Sequence, residues 1–321
     1  MTKSETTSMK GIEKRLIVRV PGSTSNLGPG FDTLGLALTI YNTVTFDVLE
    51  KNDSEVPLIR LSSATSKSIP VDATNHIYAI LQQTLGASAK PLLDRVRISI
   101  DCNVPVGSGL GSSGTATLAA LWAVQHMRDA CCDKESLLQA ATKLEGHPDN
   151  VSPSLLGGFT ISAVARDARR ILVEQLRWPE QWRTIFIVPT RSLSTKHARS
   201  VLPKALGYSD AVHNIQRVSL LVASVAKADS EMLVHALDDR LHEPYRAYLV
   251  PELLQLRKAL KSTPALGCVL SGAGPTLMVL AHSRSVQEVL SAIESWSEKQ
   301  SDKPRILDLQ VDQEGLQQLH E

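Results

Sequence analysis

The sequence predicts an α+β fold. Strand-like and helix-like segments are mixed along the chain, and the strand-like segments alternate apolar with polar residues, as Val-Arg-Ile-Ser-Ile-Asp does at residues 96–101. A period of two indicates a strand with one face in solvent, whereas the strands of a doubly wound parallel sheet are buried on both faces and are apolar throughout. The alternation therefore favours α+β over a parallel α/β sheet.

In the first half of the chain, each predicted element has a local sequence signal. Pro57 marks the start of the third strand, because proline is tolerated at the first residue of a strand. Asp133 is a candidate N-cap for the second helix, and Gly146 is a candidate stop for it. Strands are predicted at residues 16–20, 44–48, 58–62 and 96–101, and helices at residues 115–127 and 134–144.

The second half repeats the mixture of strands and helices. Strands are predicted at residues 184–188, 268–271, 277–280 and 306–311, and helices at residues 211–226, 230–239 and 286–298. A charged stretch at residues 166–170 follows a glycine-rich strand, and we place a domain boundary there. The predicted domains span residues 15–168 and 169–321. The polar residues 1–14 are predicted to form a disordered tail.

The composition excludes several classes of partner. Lysine and arginine total 34 and aspartate and glutamate 33, so the net charge is +1, and no charge excess favours nucleic acid or an anionic membrane. The first residues lack the apolar core of a secretory signal, and no apolar run reaches the roughly 18 residues of a membrane helix. The four cysteines lack zinc-site spacing and are expected to be reduced thiols. We therefore expect a cytoplasmic protein with small-molecule ligands.

The most informative segment is Pro-Val-Gly-Ser-Gly-Leu-Gly-Ser-Ser-Gly at residues 105–114, between a predicted strand and a predicted helix. A strand, a glycine-rich loop and a helix in this order present backbone N–H groups and a helix N-terminus to an anion, most often a phosphate. Glycine permits positive φ angles and a close approach of the backbone to a ligand. The segment predicts a nucleotide-binding loop.

Other interpretations of the loop explain less. Residues 109–114 fit the G-x-G-x-x-G pattern of dinucleotide-binding folds, but the preceding strand alternates where such folds have a fully apolar strand. A Walker A loop is excluded because no Gly-Lys-Ser/Thr follows the glycines. A glycine-rich turn without a ligand would not explain the paired serines Ser112 and Ser113.

Residues 105–113 resemble the phosphate loop of the GHMP small-molecule kinases, and four further parts of the chain resemble motifs of the homoserine kinase family. These are residues 21–32, residues 145–151 with 156–158, residues 194–203 with 243–246, and residues 271–276. They occur in family order between about residue 15 and about residue 280. The resemblance implies the two-domain GHMP kinase fold, with an N-terminal domain like ribosomal protein S5 domain 2 and a ferredoxin-like C-terminal domain.

The resemblance also implies an activity. It is the ATP-dependent phosphorylation of the side-chain hydroxyl of L-homoserine to O-phospho-L-homoserine, in threonine biosynthesis, by a homodimer. Two alternatives stay open: a GHMP kinase that acts on another hydroxylated small molecule, and a non-catalytic ATP-binding sensor with the same fold. The intact loop serines and acidic residues argue against the sensor.

The resemblance extends to nucleotide and metal positions. Mg²⁺ prefers hard oxygen ligands, and the family pattern gives it Ser112, Ser113 and Glu145. Glu145 could instead be an exposed carboxylate at a helix end, where the helix dipole disfavours it. Asn75 could be a helix cap instead of an adenine contact. The ATP-binding positions implied are Pro105, Val106, Gly107, Ser108, Gly109, Leu110, Gly111, Ser112, Ser113 and Asn75.

An amino-acid acceptor needs two kinds of partner. Arginine suits its α-carboxylate, and carboxylate or amide oxygens suit its α-ammonium. Some candidates have ordinary alternatives: Arg199 could lie on the surface, Asn26 could satisfy a turn, and His147 could donate to a neighbouring protein group. The substrate-binding positions implied by the resemblance are Asn26, Asp32, His147, Asn150, Arg199, Arg246 and Gly272.

The proton acceptor stays open. Asp149 lies where related kinases carry an aspartate proposed as a base, and Asp32 is the other candidate. The phosphate itself could also take the proton, because an alcohol loses its proton late in a loose phosphoryl-transfer transition state.

Overall fold

In the part of the chain that the structure describes, the strands form one sheet of seven strands and one of four. The structure is a computed structural model, and it describes residues 11–54, 58–62, 69–130, 133–167 and 170–320. The strands are β1 (Ile12–Asn26), β2 (Gly30–Leu49), β3 (Ile59–Leu61), β4 (Val96–Cys102), β5 (Phe159–Val164), β6 (Ile171–Leu176), β7 (Trp182–Val188), β8 (Ala265–Leu270), β9 (Leu277–His282), β10 (Arg305–Leu309) and β11 (Gln317–Leu319). The helices are α1 (His76–Leu85), α2 (Lys90–Leu93), α3 (Ser112–Met127), α4 (Lys134–Glu145), α5 (Val151–Leu156), α6 (Thr195–Ser200), α7 (Tyr208–Lys227), α8 (Ser230–Ala236), α9 (Glu243–Arg246), α10 (Glu252–Leu260) and α11 (Val286–Ser297).

The seven-stranded sheet has the order β11-β1-β2-β4-β3, with β5 paired to β2 and β6 to β5. The long strand β2 serves two partners, because its residues 34–36 pair with β5 and its residues 42–48 pair with β4. Helices α1, α3 and α4 supply much of the core that covers this sheet, where Phe46, Ile98 and Leu118 are buried. The pairing within this sheet is antiparallel except between β3 and β4.

The four-stranded sheet has the order β10-β7-β9-β8 and is antiparallel. Helices α10 and α11 bury side chains such as Leu253 and Ile293 in a core with this sheet. A second core, which contains Phe186 and Met278, includes α7 and residues of β2 such as Leu36. Both domains of the expected two-domain GHMP fold are therefore present, and an apolar core joins them.

The helix predicted at residues 134–144 is confirmed together with both of its end signals. The Asp133 carboxylate accepts hydrogen bonds from the N–H groups of Glu135 and Ser136, which satisfies two donors at the start of α4. Gly146 ends the helix with a φ of 83°, and its N–H donates to the Thr142 carbonyl.

The predicted alternation of β4 is only partly correct. Arg97, expected on a solvent face, is buried, and its guanidinium donates to the side-chain oxygen of Asn52 and to the backbone carbonyl of Asp53. A loop after β2 covers this position and provides acceptors for the charge, which period two alone does not reveal.

The predicted boundary at residues 168/169 falls inside a hairpin of the first sheet. Strands β5 and β6 pair across it, and the Ala165 N–H donates to the Arg170 carbonyl. The chain passes to the second sheet only at β7, and β11 later returns to pair with β1. The predicted ranges 15–168 and 169–321 thus place the paired strands β5 and β6 on opposite sides of the boundary.

The predicted disordered tail, residues 1–14, lies mostly outside the described residues. Its last part is not disordered, because β1 begins at Ile12. Pro57, Cys131 and Cys132 also lie outside the described residues. Among the described residues, no helix has both the length and the apolar character needed to cross a bilayer.

Candidate active site

Most of the predicted site residues line one cleft between the two sheets. The first half of the chain contributes the loop before α3 and the residues around the α4–α5 junction. The second half contributes α6, α9 and the turn after β8. The predicted residues that line the cleft are Asn26, Asp32, Gly107, Ser108, Gly109, Gly111, Ser112, Ser113, Glu145, His147, Asp149, Asn150, Arg199, Arg246 and Gly272.

Four other predicted residues lie elsewhere. Val106 and Asn75 line a neighbouring apolar cavity, which shares Gly107, Ser112 and Ser113 with the cleft. Pro105 lines neither of these two cavities. The Leu110 side chain is fully buried in the core between the sheets, because the loop turns this one apolar residue inward. Only backbone atoms of Leu110 are therefore left for a ligand contact.

The conformation of the loop requires its glycines. Gly109 has a φ of 89°, and a Cβ at this position would collide with the Ser271 carbonyl oxygen. Gly111 has a φ of 75°, and its Cβ would collide with the Ser23 hydroxyl. The loop is also bonded to its neighbours: Ser271 Oγ donates to the Gly109 carbonyl at 2.7 Å, and the Thr276 N–H donates to the Ser108 carbonyl at 3.1 Å.

Helix α3 starts directly after this loop and directs its N-terminus at the cleft. It has 16 residues, its N-cap is Gly111, and no side chain among the described residues caps its first turn. The first N–H groups of a helix lack intrahelical acceptors, and the helix dipole adds partial positive charge there. The position is suited to a phosphate group.

Glu145 lies beside Ser113 at the edge of the same cleft. Its Oε1 accepts hydrogen bonds from Ser113 Oγ at 2.9 Å and from Thr117 Oγ1 at 2.5 Å. Thr117 in turn lies 3.1 Å from His76 Nε2. Burial raises the pKa of the Glu145 carboxyl, but His76, 3.9 Å away, and the hydrogen bonds from Thr117 and Ser113 outweigh burial and hold that pKa below its usual value. Glu145, at the end of α4, is thus a half-buried carboxylate held in its ionised form by these contacts, and not the exposed carboxylate of the alternative interpretation.

The donor set at Glu145 fits a hard cation. The described residues contain no cluster of three or more histidine, cysteine, aspartate or glutamate side chains with metal-site geometry. Mg²⁺ needs no such cluster, because it commonly takes one or two protein oxygens together with substrate phosphates and water. Ser112, Ser113 and Glu145 offer hydroxyl and carboxylate oxygens beside the phosphate-binding loop.

The neighbouring cavity is mainly apolar, with Val44, Ile100 and Val106 among its lining residues. Apolar walls of this kind suit a flat purine base. Asn75 lines the cavity but also caps α1: its Oδ1 accepts the Ile77 N–H at 2.9 Å and its Nδ2 donates to the Pro70 carbonyl at 2.7 Å. The helix-cap interpretation of Asn75 is therefore correct, and a base contact would be an additional role.

At the acceptor end of the cleft, Arg199 and Asp32 form a bidentate ion pair. Arg199 Nη1 lies 2.8 Å from Asp32 Oδ2, and Nη2 lies 2.6 Å from Oδ1. The Asp32 carboxylate raises the pKa of Arg199. Asp32 has a φ of 55°, and its N–H donates to Asn26 Oδ1, so Asn26 fixes the turn that carries the carboxylate. The carboxylate predicted for an ammonium group and an arginine predicted for a carboxylate thus lie in direct contact.

Arg246 is 1% exposed and differs from Arg199 in having no carboxylate at hydrogen-bond distance. Its Nε donates to the Ala198 carbonyl at 3.1 Å, and its Nη1 donates to the Gly272 carbonyl at 3.3 Å. Burial, together with nearby Arg199, lowers the pKa of Arg246 to about 10. The Phe31 ring lies under both guanidinium groups, 5.3 Å from the Arg246 carbon and 5.4 Å from the Arg199 carbon.

His147 and Asp149 form a pair near the junction of the loop and the acceptor end. His147 Nδ1 lies 2.5 Å from Asp149 Oδ1, and Asp149 is 2% exposed. Burial lowers the pKa of His147, but the bond to Asp149 outweighs it, so the pKa lies above its usual value. Asn150 is held by Ser25 and Ser23: its Nδ2 donates to Ser25 Oγ at 2.9 Å, and its Oδ1 accepts from Ser23 Oγ at 3.1 Å.

The sequence analysis missed several residues that shape the site. Phe31 lies inside the first family-like segment, next to Asp32, and its aromatic ring between two arginines could not be foreseen from spacing. Thr117 could have been found, because it follows Ser113 by four residues and so lies on the same face of α3. His76 follows the N-cap of α1, and no sequence signal connects it to Glu145.

The chain matches known proteins along most of its length. The family model for the GHMP kinases N terminal domain matches residues 74–158, and the model for the GHMP kinases C terminal matches residues 221–299. A homoserine kinase of Microchaete diplosiphon is 35% identical over 304 residues, covering 95% of this chain and 97% of that protein. A homoserine kinase of a Synechocystis species is 37% identical over 284 residues, covering 87% and 90%.

Among solved structures, the homoserine kinase of Cytophaga hutchinsonii superposes with a TM-score of 0.81 at 27% identity. The match covers 99% of this chain and 100% of that one. The similarity therefore includes both sheets and the cleft between them.

Proposed function

Because the chain belongs to the homoserine kinase family of the GHMP kinases, we propose that it transfers the γ-phosphoryl group of ATP to the side-chain hydroxyl of L-homoserine. The products are ADP and O-phospho-L-homoserine. The observation that carries the proposal is the Asp32–Arg199 pair in the same cleft as the glycine-rich loop. A zwitterionic amino acid offers an ammonium to Asp32 and a carboxylate to Arg199, and the loop offers N–H groups to a polyphosphate.

The nucleotide site is proposed to extend over both cavities. The base lies between apolar walls, with Asn75 at its edge. The polyphosphate lies on the loop formed by residues 105–113, where the N–H groups of Ser112 and Ser113 begin helix α3. In support of this arrangement, the two cavities are direct neighbours that share Gly107, Ser112 and Ser113 as lining residues.

Mg²⁺ is proposed to bind between the polyphosphate and the oxygens of Ser112, Ser113 and Glu145. When bound, it supplies neutralisation of the charge on the β- and γ-phosphates. The low pKa of Glu145 supports this role, because the carboxylate is ionised before any cation arrives. Thr117 holds Glu145 Oε1 by a hydrogen bond, while no hydrogen bond among the described residues reaches Oε2.

The acceptor is proposed to bind by partner exchange. Asp32 and Arg199 neutralise each other before binding, and the substrate then pairs its ammonium with Asp32 and its carboxylate with Arg199 and Arg246. The pair side chains are 35% and 37% exposed, so opening the pair costs little, and both charges have partners before and after binding. Asn26, His147, Asn150 and Gly272 complete the polar wall.

Asp149 is the better of the two candidates for the proton acceptor. Asp32 is held in a bidentate pair and has a role with the ammonium, whereas only one oxygen of Asp149 is bonded to His147. His147 fixes the orientation of the carboxylate and balances its charge. A carboxylate can take the proton late in a loose transition state, and positioning with charge stabilisation supplies the remaining acceleration.

The family resemblance also supports a cytoplasmic homodimer that acts in threonine biosynthesis. Light scattering coupled to size-exclusion chromatography tests the dimer, with a mass near twice the 34.9 kDa of the chain as the expected result.

The proposed reaction is tested by coupled ADP release with Mg-ATP and a panel of acceptors. The panel contains L-homoserine, D-homoserine, L-serine, L-threonine, mevalonate and galactose, and mass spectrometry identifies the product. We expect turnover selective for L-homoserine. Turnover with a different acceptor would retain the phosphate site but contradict the acceptor site, and ATP binding without any turnover would favour a sensor.

A further inference from the structure

The buried His242 contacts Arg246, the arginine proposed to bind the carboxylate of the acceptor substrate, and does not itself line the cleft. Its side chain is 0% exposed, and the two nitrogens of its ring have different partners. Nε2 lies 2.8 Å from the Gly28 carbonyl oxygen, and Nδ1 lies 3.1 Å from Arg246 Nη1. The ring also stacks on Phe31, with 5.2 Å between the centroids.

These contacts determine the tautomer of His242. A carbonyl oxygen only accepts hydrogen bonds, so Nε2 carries the proton. A guanidinium only donates, so Nδ1 presents its lone pair to Arg246. A second proton on Nδ1 would face the N–H of Arg246, and the neutral Nε2–H form is therefore the one that satisfies both contacts.

The backbone of His242 is fixed by a buried carboxylate. Asp239 Oδ2 accepts the N–H of His242 at 2.8 Å and the N–H of Glu243 at 2.7 Å. Asn214 of α7 holds the other oxygen of Asp239, at 2.8 Å. Asp239 Oδ2 lies 3.7 Å from His242 Nε2, beyond hydrogen-bond distance. The Gly28 carbonyl is thus the hydrogen-bond partner of Nε2.

The contact with His242 restricts how Arg246 can point. Its Nε donates to the Ala198 carbonyl, and its Nη1 donates both to the Gly272 carbonyl and to His242 Nδ1. No hydrogen bond from Nη2 exists among the described residues, and Arg246 lines the cleft. The remaining donors of the guanidinium are therefore left for a ligand, on the side where Phe31 and Arg199 lie.

We propose that His242, as the neutral Nε2–H tautomer, is the positioning residue that directs Arg246 at the carboxylate of the acceptor. The inference rests on the proposed function, because the acceptor's carboxylate is the target of Arg246. It assigns to His242 no contact with substrate or ATP. Removal of the Nδ1 acceptor leaves one N–H of the buried Nη1 unsatisfied and weakens the restraint on the direction of the guanidinium, which the Ala198 and Gly272 carbonyls then hold alone.

Two substitutions of His242 distinguish the contribution of Nδ1 from that of Nε2. In His242→Asn the amide oxygen can occupy the position of Nδ1 and accept from Arg246, whereas in His242→Gln the longer amide reaches the Gly28 carbonyl and leaves Arg246 without this acceptor. We expect His242→Gln to raise the KM for L-homoserine by about tenfold or more, since a hydrogen bond to a charged group is lost. We expect His242→Asn to recover most of that loss.

The controls exclude a merely structural effect. The KM for ATP should stay within about twofold in both variants, because the nucleotide site contains no contact with His242. His213→Asn serves as the matched control: His213 lies on the nearby helix α7, 3.0 Å from Asp238, and does not contact Arg246. In an Arg246→Met background, His242→Gln should leave the homoserine KM unchanged, because the residue that His242 positions is gone.

Three results are decisive. An unchanged homoserine KM in His242→Gln, or an equal effect in the Arg246→Met background, would overturn the role of His242 while leaving the proposed reaction intact. A His242→Asn variant no better than His242→Gln, at equal thermal stability, would do the same. Absence of homoserine turnover by the wild-type protein in this assay would overturn the proposed function itself, and with it the carboxylate target of Arg246.

Discussion

At the scale of single residues, the cleft contains two arginines in contrasting states. Arg199 is part-exposed and already paired with Asp32, so its charge has a partner whether or not a ligand is present. Arg246 is buried and has only neutral acceptors, and its pKa falls to about 10. In the proposed binding mode, Arg199 would exchange one partner for another, while Arg246 would gain a charged partner that it lacks in the empty protein. The two residues should respond differently to substitution.

Arg199→Ala should weaken the acceptor and spare the nucleotide. A charge-assisted pair contributes about 1.5–3 kcal/mol, so kcat/KM for L-homoserine should fall by roughly 10- to 150-fold. The KM for ATP should change little. Steady-state kinetics with each substrate varied in turn measure both values. Arg191→Ala is the control, because the Arg191 side chain pairs with Glu252 and makes no hydrogen bond to a predicted site residue among those described. A wild-type homoserine KM in Arg199→Ala would contradict the carboxylate role.

The His147–Asp149 pair should make stability depend on pH. The folded protein raises the pKa of His147, so the proton is bound more tightly in the folded than in the unfolded chain. The resulting stabilisation is complete below the ordinary pKa of histidine and is lost as the pH rises through the raised value. The wild type should thus exceed His147→Gln in free energy of unfolding by more at about pH 6 than at about pH 9. Urea unfolding at both pH values measures this; an equal difference would show that His147 is not charged in the pair.

At the scale of elements, the glycine-rich loop connects the two halves of the cleft. It is bonded to β1 through Ser23 and to the turn after β8 through Ser271 and Thr276. Its glycines at positive φ therefore have two tasks, which are to make the turn and to allow neighbouring backbone to approach closely. Another residue would be strained at the positive φ that the turn needs, and its Cβ would collide with the neighbouring backbone.

Gly109→Ala should be much more damaging than Gly86→Ala. Both glycines have a positive φ, 89° and 81°, so an alanine at either position is strained. A Cβ at Gly86 meets nothing within 4 Å, whereas one at Gly109 collides with backbone oxygens of the turn after β8. Gly109→Ala should lose further stability and ATP affinity, which denaturation and nucleotide titration measure. Equal losses in the two variants would contradict the packing argument.

Local signals in the sequence were sufficient for some parts of the site and not for others. Asp133, Gly146 and the loop glycines act on their immediate neighbours, so α4 and the phosphate loop could be predicted from composition and spacing. The contact of Asp32 with Arg199 joins residues 167 positions apart, and only the family resemblance placed them in one site. The burial of Arg97 depends on a covering loop, which no periodic pattern encodes.

Strand pairing shows the same limit at larger separation. Strand β5 pairs with β2, and the charged turn at residues 166–170 therefore lies within one sheet. Charge at a hairpin turn and charge at a linker look alike in a sequence, because both are solvated. The pairing partner alone decides between them. The domain boundary at residues 168/169 therefore stays a prediction, while the prediction of the α+β class did not depend on it.

At the scale of the whole molecule, the two sheets share one apolar core and cross-connect at the end of the chain. Leu36 comes from the seven-stranded sheet, Phe186 and Met278 come from the four-stranded sheet, and all three lie in the same core. Strand β11 returns to β1, and Tyr41 of β2 donates to Asp312 at 2.9 Å. Neither sheet can expose its half of this core without disturbing the other.

We therefore expect a single cooperative unfolding transition. Trp122 of α3 reports on the first sheet, and Trp296 of α11 reports on the far face of the second. Variants that keep only Trp122 or only Trp296 of the chain's four tryptophans should give the same urea midpoint by fluorescence, and both should match their midpoints from circular dichroism. Two separate midpoints would show that the halves unfold independently.

The burial of Arg246 implies a trade-off between folding and readiness to bind. An arginine enclosed among neutral acceptors is costly to the empty protein, and natural proteins accept such costs where activity requires them. Arg246→Met should accordingly raise the urea midpoint of the ligand-free protein. Saturating L-homoserine should reverse the order, because a ligand stabilises the state that binds it in proportion to its affinity. The same guanidinium would thus lower the stability of the ligand-free protein and raise the stability of the protein with bound substrate.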